Sequence, residues 1–425
     1  MPSTVGLGQA VRERETGQLL SASLAPGAAG ELVLPADLLA QAGLDLADDV
    51  VCEVGPAGLR LASDTLRKVY VEITTACNLS CATCIRQAWD EPPDHMPLAR
   101  FRRLLDGLPQ HPVTLSLSGF GEPLVHPDIL TLVWLAREQG ARVEIITNGM
   151  LLDAALAREL VAAGVGQVTV SLDGGDEVAY AAVRGHARAP AVAAVMALVE
   201  ARRRARRPVD IGLAFVATRR NIGSLPGLLS LAHELALDFV SVSNVVPHTP
   251  EMAAEMLWGG AAWTASFPDA SWRPRVEMAR LTLDEQSRPA LAALLDHGPT
   301  WPHPGAAGGP QRNYCRFAHE GMLAVARDGR VAPCLSLLHT HPEQVNGHWK
   351  TVRSHVVGNV DDRLLDIWRD STYREFRRRV RDFDFPACFA CGGCPDTDTN
   401  TTDCYLNPAP ACGECLWAQG IVLCP

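Results

Sequence analysis

The chain has 425 residues, of which 47% are hydrophobic and 20% are charged, proportions that are typical of a soluble globular protein. Its net charge of −10 makes the whole chain a poor electrostatic partner for nucleic acid or for an anionic membrane surface. The length predicts two or three domains. The N-terminal segment lacks the apolar stretch of a signal peptide, and no apolar run of about 18 residues predicts a membrane-spanning helix. We therefore expect a cytoplasmic protein.

The N-terminal segment, residues 1–63, predicts a small β-rich domain. Residues 30–63 contain a strand, a helix that begins at a proline, and two strands joined by a glycine turn. This order resembles the AbrB-type swapped-hairpin fold, which dimerises and binds DNA in transcription factors. Three arginines stand against eight acidic residues here. Since DNA binding requires a basic face, we expect dimerisation, protein docking or substrate recognition instead.

The middle of the chain alternates strands with helices. Apolar, β-branched runs predict six strands at residues 68–74, 113–118, 142–147, 167–172, 209–217 and 238–244. Helical patterns lie between them at residues 97–108, 127–139, 152–163, 190–206 and 221–236. Because the runs are apolar on both faces, they indicate a parallel sheet covered by helices. We expect an α/β fold with a partial (β/α)6 barrel over residues 64–255, and a linker or insertion over residues 256–312.

The thirteen cysteines are unevenly distributed and predict soft-metal binding, because disulfides are rare in the cytoplasm. Cys52 stands alone in a short strand and is interpreted as a small buried hydrophobe. Three more follow the first barrel strand closely: Cys77, Cys81 and Cys84. The other nine lie near the C-terminus: Cys315, Cys334, Cys388, Cys391, Cys394, Cys404, Cys412, Cys415 and Cys424. Zinc is the alternative metal for both groups, and His95 would be the fourth ligand of the first site.

Glycine-rich or polar motifs follow the next three strands. They are SGFGEP (118–123), TNG (147–149) and SLDG (171–174). Ligands of parallel βα folds gather at the C-terminal ends of the strands, so we expect these motifs and the first cysteines to share one face. The alternative for each motif alone is a local turn.

Together, CNLSCATC and GFGEP resemble the radical S-adenosylmethionine (SAM) superfamily over residues 68 to 245. The resemblance implies that Cys77, Cys81 and Cys84 hold a [4Fe–4S] cluster. Three thiolates leave one iron open, and in this superfamily the SAM amino and carboxylate groups bind it. It further implies that SAM contacts come from Gly119, Gly121, Glu122, Pro123, Asn148, Ser171, Asp173 and Arg184. Among these, Glu122 is expected near the methionyl ammonium and Arg184 near the carboxylate. Thr83 departs from the family, because most members carry an aromatic residue before the third cysteine.

The C-terminal region, residues 313–425, resembles the SPASM extension of radical SAM enzymes. Asp328-Gly329 predicts a hairpin between Cys315 and Cys334, and residues 357–380 resemble the helix that follows it. The resemblance implies one or two auxiliary [4Fe–4S] clusters. Nine cysteines supply eight ligands with one to spare, and their individual assignment stays open because the spacing departs from the family after Cys391. Zinc knuckles are the alternative.

The AbrB-like head, CNLSCATCIRQAWDEP, SVSNVVPHTPEM and CGECLWAQGIVLCP together resemble the radical SAM maturases associated with tungsten-dependent aldehyde ferredoxin oxidoreductase-type enzymes. This implies reductive cleavage of SAM to a 5′-deoxyadenosyl radical, an electron donor of flavodoxin or ferredoxin type, and a target metalloenzyme or its cofactor. A homodimer through the N-terminal domain is a further expectation. One alternative is a SPASM maturase that modifies a peptide or protein substrate. The other is an AbrB-type regulator that senses through iron–sulfur clusters.

Overall fold

The computed structural model describes residues 50–55, 58–89, 91–258, 275–278, 281–282, 284–296, 313–391 and 394–423. The chain forms two compact units, Met1–Thr65 and Leu66–Pro425. In the smaller unit, strands β1 (Val50–Gly55) and β2 (Gly58–Ser63) form an antiparallel hairpin. The rest of the predicted AbrB-like domain lies outside the described residues. Across the described ranges, no helix is both long enough and apolar enough to cross a membrane.

A ten-stranded sheet forms the centre of the larger unit. The six predicted strands are present as β3 (Lys68–Val71), β4 (Thr114–Leu117), β5 (Arg142–Thr147), β6 (Gln167–Ser171), β7 (Asp210–Ala217) and β8 (Phe239–Asn244). All of these pair in parallel. The α/β class and the parallel strands that were predicted are therefore confirmed.

The sheet extends beyond the six predicted strands at both edges. Strand β9 (Arg275–Met278) pairs in parallel with β8, inside the stretch that was expected to be a linker or insertion. At the other edge, β10 (Met322–Val325) pairs in parallel with β3. The predicted hairpin is confirmed, because β10 pairs antiparallel with β11 (Arg330–Ala332), and β14 (Gly358–Asn359) follows. The C-terminal region thus shares its sheet with the barrel strands.

Helices cover the sheet as the sequence predicts. The five predicted helices are α1 (Leu98–Asp106), α2 (Ile129–Glu138), α3 (Ala154–Ala163), α5 (Ala189–Ala205) and α6 (Leu225–Glu234). The sequence analysis missed the short helix α4 (Glu177–Arg184), whose N-cap Asp176 accepts a hydrogen bond from the Ala179 N–H. Three further helices are α7 (Pro250–Ala254), α8 (Arg288–Asp296) and α9 (Arg316–His319). Short 3₁₀ turns cover Ile85–Gln87, Pro123–Val125, Ile222–Ser224 and Pro395–Thr397.

The single helix expected within residues 357–380 is wrong. The structure has α10 (Leu364–Arg369) and α11 (Ser371–Asp382), separated at Asp370. Asp370 has extended backbone angles, and its carboxylate accepts a hydrogen bond from the Tyr373 N–H, which starts a second helix. The last helix is α12 (Cys388–Cys391). A separate hairpin, β12 (His341–Val345) and β13 (His348–Val352), lies between β11 and β14 in sequence.

Candidate functional site

The loop that follows β3 carries the first cysteine group, Cys77, Cys81 and Cys84. Two backbone hydrogen bonds anchor this loop to neighbouring segments. The Glu122 N–H donates to Ala76 O at 2.8 Å, and the Ala82 N–H donates to Val183 O at 2.9 Å. The segment after β4 and helix α4 therefore both hold the cysteine loop in place.

Hydrogen-bond donors contact two of the thiols in this loop. Asn148 Nδ2 lies 3.8 Å from Cys77 Sγ, and Arg184 Nη1 lies 3.7 Å from Cys81 Sγ. Burial raises the pKa of both thiols, whereas Arg184 opposes this shift at Cys81. An amide donor and a guanidinium beside sulfur stabilise the thiolate form, which is the form that binds metal.

Arg86 is a second cation at this loop, and the sequence analysis did not identify it. Burial alone would lower the pKa of Arg86, but the nearby Cys84, Cys77 and Cys81 thiols raise it overall. Its Nη2 donates to Leu79 O, while its buried Nε has no partner among the described residues. Three thiols near a half-buried guanidinium fit an anionic iron–sulfur cluster, the group that the resemblance implies.

Glu122 joins the end of β4 to the end of β5. Its Oε1 accepts hydrogen bonds from Thr147 Oγ1 at 2.6 Å and from the Leu124 N–H at 3.1 Å. Its Oε2 accepts one from the Asn148 N–H at 2.7 Å. Burial raises the pKa of Glu122, and these three donors oppose the shift. The carboxylate fixes the two strand ends to each other, and its expected position near the SAM ammonium stays a prediction.

The glycines of GFGEP lie against the end of β3. A Cβ at Gly121 would lie 2.2 Å from Thr74 O and 2.7 Å from Ala76 O, and a Cβ at Gly119 would lie 2.6 Å from Glu72 Cβ. All three distances are too short for a side chain at these positions. The two glycines therefore allow close packing against the segment that leads into the cysteine loop.

Asp173 and Arg184 form a buried ion pair after β6. Arg184 Nε lies 2.6 Å from Asp173 Oδ2, and Asp173 Oδ1 accepts a hydrogen bond from the Val216 N–H at 2.7 Å. Burial alone would lower the pKa of Arg184, but Asp173 and Cys81 raise it overall. Arg184 thus links a carboxylate to a thiol of the loop, and its expected contact with the SAM carboxylate stays a prediction. Ser171 is the half-buried last residue of β6.

A triad of charged side chains, which the sequence analysis missed, lies beside the loop, with His339 and Glu72 buried and Glu91 half-buried. His339 Nε2 is 2.8 Å from Glu72 Oε2, and His339 Nδ1 is 2.7 Å from Glu91 Oε1. Burial alone would lower the pKa of His339, but the hydrogen bonds to both carboxylates raise it. The Trp89 and Phe120 rings pack edge-on against the imidazole. The triad therefore ties the segments on both sides of the cysteine loop to the C-terminal region.

Four of the C-terminal cysteines lie close together: Cys315, Cys334, Cys412 and Cys415. Burial raises the pKa of Cys334 well above its usual value, and the neighbouring thiols of the group raise it further. A hydrogen bond from the Tyr314 N–H to Ala418 O, at 3.0 Å, joins the two segments that carry Cys315 and Cys415. Cys315 and Cys412 also pack on one apolar cluster with Phe385. We call these four residues the inner cysteine group. Their spacing in the sequence did not assign them to one group.

The other C-terminal cysteines lie nearer the surface. Burial, together with the charges of Glu414, Cys404 and Cys394, raises the pKa of Cys388 to about 11. Three members of this outer group are exposed: Cys391, Cys394 and Cys404. Cys424 lies outside the described residues.

Among the described residues, the structure shows no preformed site for either zinc alternative. His95, which was to complete a zinc site in the first loop, packs its ring against His126 with the ring centroids 5.2 Å apart. Within the described ranges, no group of three or more His, Cys, Asp and Glu side chains is arranged to hold a single metal ion.

Comparison with known proteins gives two domain matches. The radical SAM superfamily matches residues 71–213, and the SPASM iron–sulfur cluster-binding domain matches residues 315–395. Streptococcus suis SuiB bound to its precursor peptide SuiA is similar in fold, with a TM-score of 0.52, 16% identity and coverage of 78% of this chain and 70% of SuiB. This likeness supports the fold alone.

Two relatives match in sequence. The mycofactocin maturase MftC of Mycobacterium ulcerans is 33% identical over 38% of this chain and 42% of its own length. The tungsten-containing aldehyde ferredoxin oxidoreductase cofactor-modifying protein of Pyrococcus furiosus is 30% identical over 85% of this chain and 97% of its own length. With its radical SAM and SPASM domains, the chain therefore belongs to the radical SAM superfamily of enzymes, in the family of this cofactor-modifying protein.

Proposed function

We propose that this protein cleaves SAM reductively and uses the resulting radical to mature a tungsten-dependent aldehyde ferredoxin oxidoreductase-type enzyme or its cofactor. The observation that carries the proposal is the three-thiol loop surrounded by Arg86, Arg184 and Asn148, at the C-terminal ends of parallel strands. The similarity to the cofactor-modifying protein over 97% of that protein's length supports the choice of target.

In this proposal the loop cysteines Cys77, Cys81 and Cys84 hold a [4Fe–4S] cluster, and its open iron binds SAM. Bound there, and given one electron from a flavodoxin- or ferredoxin-type donor, SAM would supply the radical chemistry, with methionine as the leaving group. Glu122 and Asn148 fix the strand ends that face the loop through their mutual hydrogen bond. Groups that are fixed before SAM binds lose less entropy when they orient it.

We assign the inner cysteine group to one auxiliary [4Fe–4S] cluster. The donor set fits, since four thiols that crowd a buried site suit the complete ligand shell of such a cluster. A second auxiliary cluster takes the outer cysteines Cys388, Cys391, Cys394 and Cys404, which leaves Cys424 as the spare. Each assignment predicts a loss of about four iron atoms per chain when its cysteines are replaced.

The test of SAM cleavage uses anaerobically purified, reduced protein and measures 5′-deoxyadenosine. Cys84→Ala removes one of only three ligands in the loop, so formation of 5′-deoxyadenosine is expected to stop. Cys52→Ala, at a cysteine outside every assigned group, is the matched control and is expected to keep full activity. Undiminished product from Cys84→Ala would refute the proposal.

The target is tested by producing a tungsten-containing aldehyde oxidoreductase with and without this protein, and by measuring aldehyde oxidation. Activity that depends on the wild-type chain and is lost with Cys84→Ala is expected. The sequence match to a mycofactocin maturase favours peptide modification as the second candidate. A mass change in a co-produced precursor peptide, with no effect on the oxidoreductase, would favour that candidate.

A further inference from the structure

The hairpin of β12 and β13 buries charged side chains. Glu343 and Lys350 are directly opposite each other in the register, with Lys350 Nζ 3.6 Å from Glu343 Oε1. Lys350 Nζ also lies 3.3 Å from Glu414 Oε2. All three residues are less than 9% exposed. Apolar side chains of similar volume often stabilise such positions as well or better, so the charges point to a role other than stability.

Lysine is rare in this chain. Of 38 lysine and arginine residues, only Lys68 and Lys350 are lysines. A lysine ammonium is a compact point charge, whereas an arginine guanidinium is a wide planar fork. Position 350 therefore holds a small buried cation in a protein that otherwise uses arginine almost throughout.

Lys350 lies beside the inner cysteine group. Glu414, whose Oε2 lies 3.3 Å from Lys350 Nζ, stands between Cys412 and Cys415 in the sequence. Burial alone would lower the pKa of Lys350, but Glu343, Glu414 and Cys415 raise it, so the ammonium stays charged. Two carboxylates and the nearby thiols thus surround a single cation.

We propose that Lys350 is a positioning residue that sets the reduction potential of the auxiliary cluster held by the inner cysteine group. The inference rests on the cluster assignment proposed above. Reduction adds one negative charge to a cluster, and cluster potential depends on nearby charge and burial. The buried ammonium stabilises the reduced form and raises the potential. The negative charges of Glu343 and Glu414 lower the potential, so removal of either carboxylate raises it.

The test is a redox titration, followed by electron paramagnetic resonance, of the full-length chain in which Cys77, Cys81 and Cys84 are replaced by alanine. Only the C-terminal clusters contribute signals in this background. Lys350→Met is expected to lower one midpoint potential. At a fixed solution potential, the ratio of reduced to oxidised cluster should fall at least tenfold, which corresponds to a shift of about 59 mV for a one-electron couple. Glu343→Gln is expected to raise the same potential, and Lys350→Arg to keep it near the wild-type value.

Lys68→Met is the matched control. It removes the other lysine, whose Nζ lies 2.8 Å from Glu144 Oε2 at the start of β3, at the strand end opposite the cysteine loop. The midpoint potentials of the Lys68→Met variant are expected to equal those of the parent chain, in which only Cys77, Cys81 and Cys84 are replaced. If iron and acid-labile sulfide are bound but Lys350→Met leaves both potentials unchanged, this inference fails while the proposed function stands. A parent chain that binds no C-terminal cluster overturns the auxiliary-cluster assignment and this inference together, but leaves SAM cleavage at the first loop to its own test. Circular dichroism shows whether each variant is folded.

Discussion

Replacement of Gly121 by alanine is expected to strain the cysteine loop and weaken cluster binding. The added Cβ would lie 2.2 Å from Thr74 O and 2.7 Å from Ala76 O, and these carbonyls belong to the backbone that leads to Cys77. Neither oxygen can move aside as a flexible side chain would, so the two segments must separate. The separation also stretches the 2.8 Å hydrogen bond from the Glu122 N–H to Ala76 O.

The expected loss of stability follows from the steric conflict and from the weakened hydrogen bond. Overpacking of a well-packed interior costs about 1–3 kcal/mol. Loss of one backbone hydrogen bond adds about 1 kcal/mol, so the free energy of unfolding is expected to fall by about 2–4 kcal/mol. The assay is urea unfolding of the metal-free chain, paired with iron analysis after anaerobic reconstitution, where Gly121→Ala is expected to retain less iron than the wild type.

Gly223→Ala is the control for this prediction. A Cβ at Gly223 meets no atom within 4 Å, and the residue needs no positive φ. The substitution is therefore expected to leave both stability and iron content unchanged. Equal unfolding midpoints for the Gly121 and Gly223 variants would refute the reasoning, because only one site has a steric conflict.

Two further substitutions test the charged groups around the loop. His339→Gln leaves Glu72 without its buried cation and is expected to cost about 3 kcal/mol at acidic pH. The pKa of His339 is raised in the fold, so the stabilisation by its charged imidazole is complete below the unfolded pKa of 6.5 and declines as the pH rises through the folded pKa. The difference in free energy of unfolding between wild type and variant, measured in urea, should therefore shrink with rising pH. A stability difference that does not change with pH would contradict the role of the charged His339 in the triad. Arg184→Lys cannot contact Asp173 and Cys81 together and is expected to release iron to a chelator several-fold faster than the wild type, whereas the exposed Arg203→Lys should not. Equal release rates would show that Arg184 does not support the loop.

Much of the barrel could be predicted because its signals are local. Each of the six strands is a short apolar run, and each helix between them has its own periodicity. The order of strands at the sheet edges is not local information. Strand β10 pairs with β3 although Met322 and Lys68 are far apart in sequence, and four residues of β9 offer too little pattern to identify a strand. The extension of the sheet at both edges therefore required the structure.

The same distinction applies to the candidate site. The cysteine loop and the motifs after β4, β5 and β6 are continuous in sequence, so residue type and spacing identified them. His339 lies 267 residues from Glu72, and no spacing rule connects them. Cues were nevertheless present: Glu72 is a charged residue at the end of an apolar strand, and Lys350 is one of only two lysines.

Both buried charged networks begin in one stretch of chain. His339 contacts Glu72 and Glu91 beside the first cysteine loop, while Glu343 and Lys350 reach Glu414 beside the inner cysteine group. Three residues lie between His339 and Glu343, so the Cα atoms of these two residues are at most about 14 Å apart. Because buried charges stabilise a fold less than well-packed apolar groups, their presence at both ends of this stretch is poorly explained by stability alone. With the two clusters proposed above, these charges would hold the two anionic centres at fixed positions relative to each other.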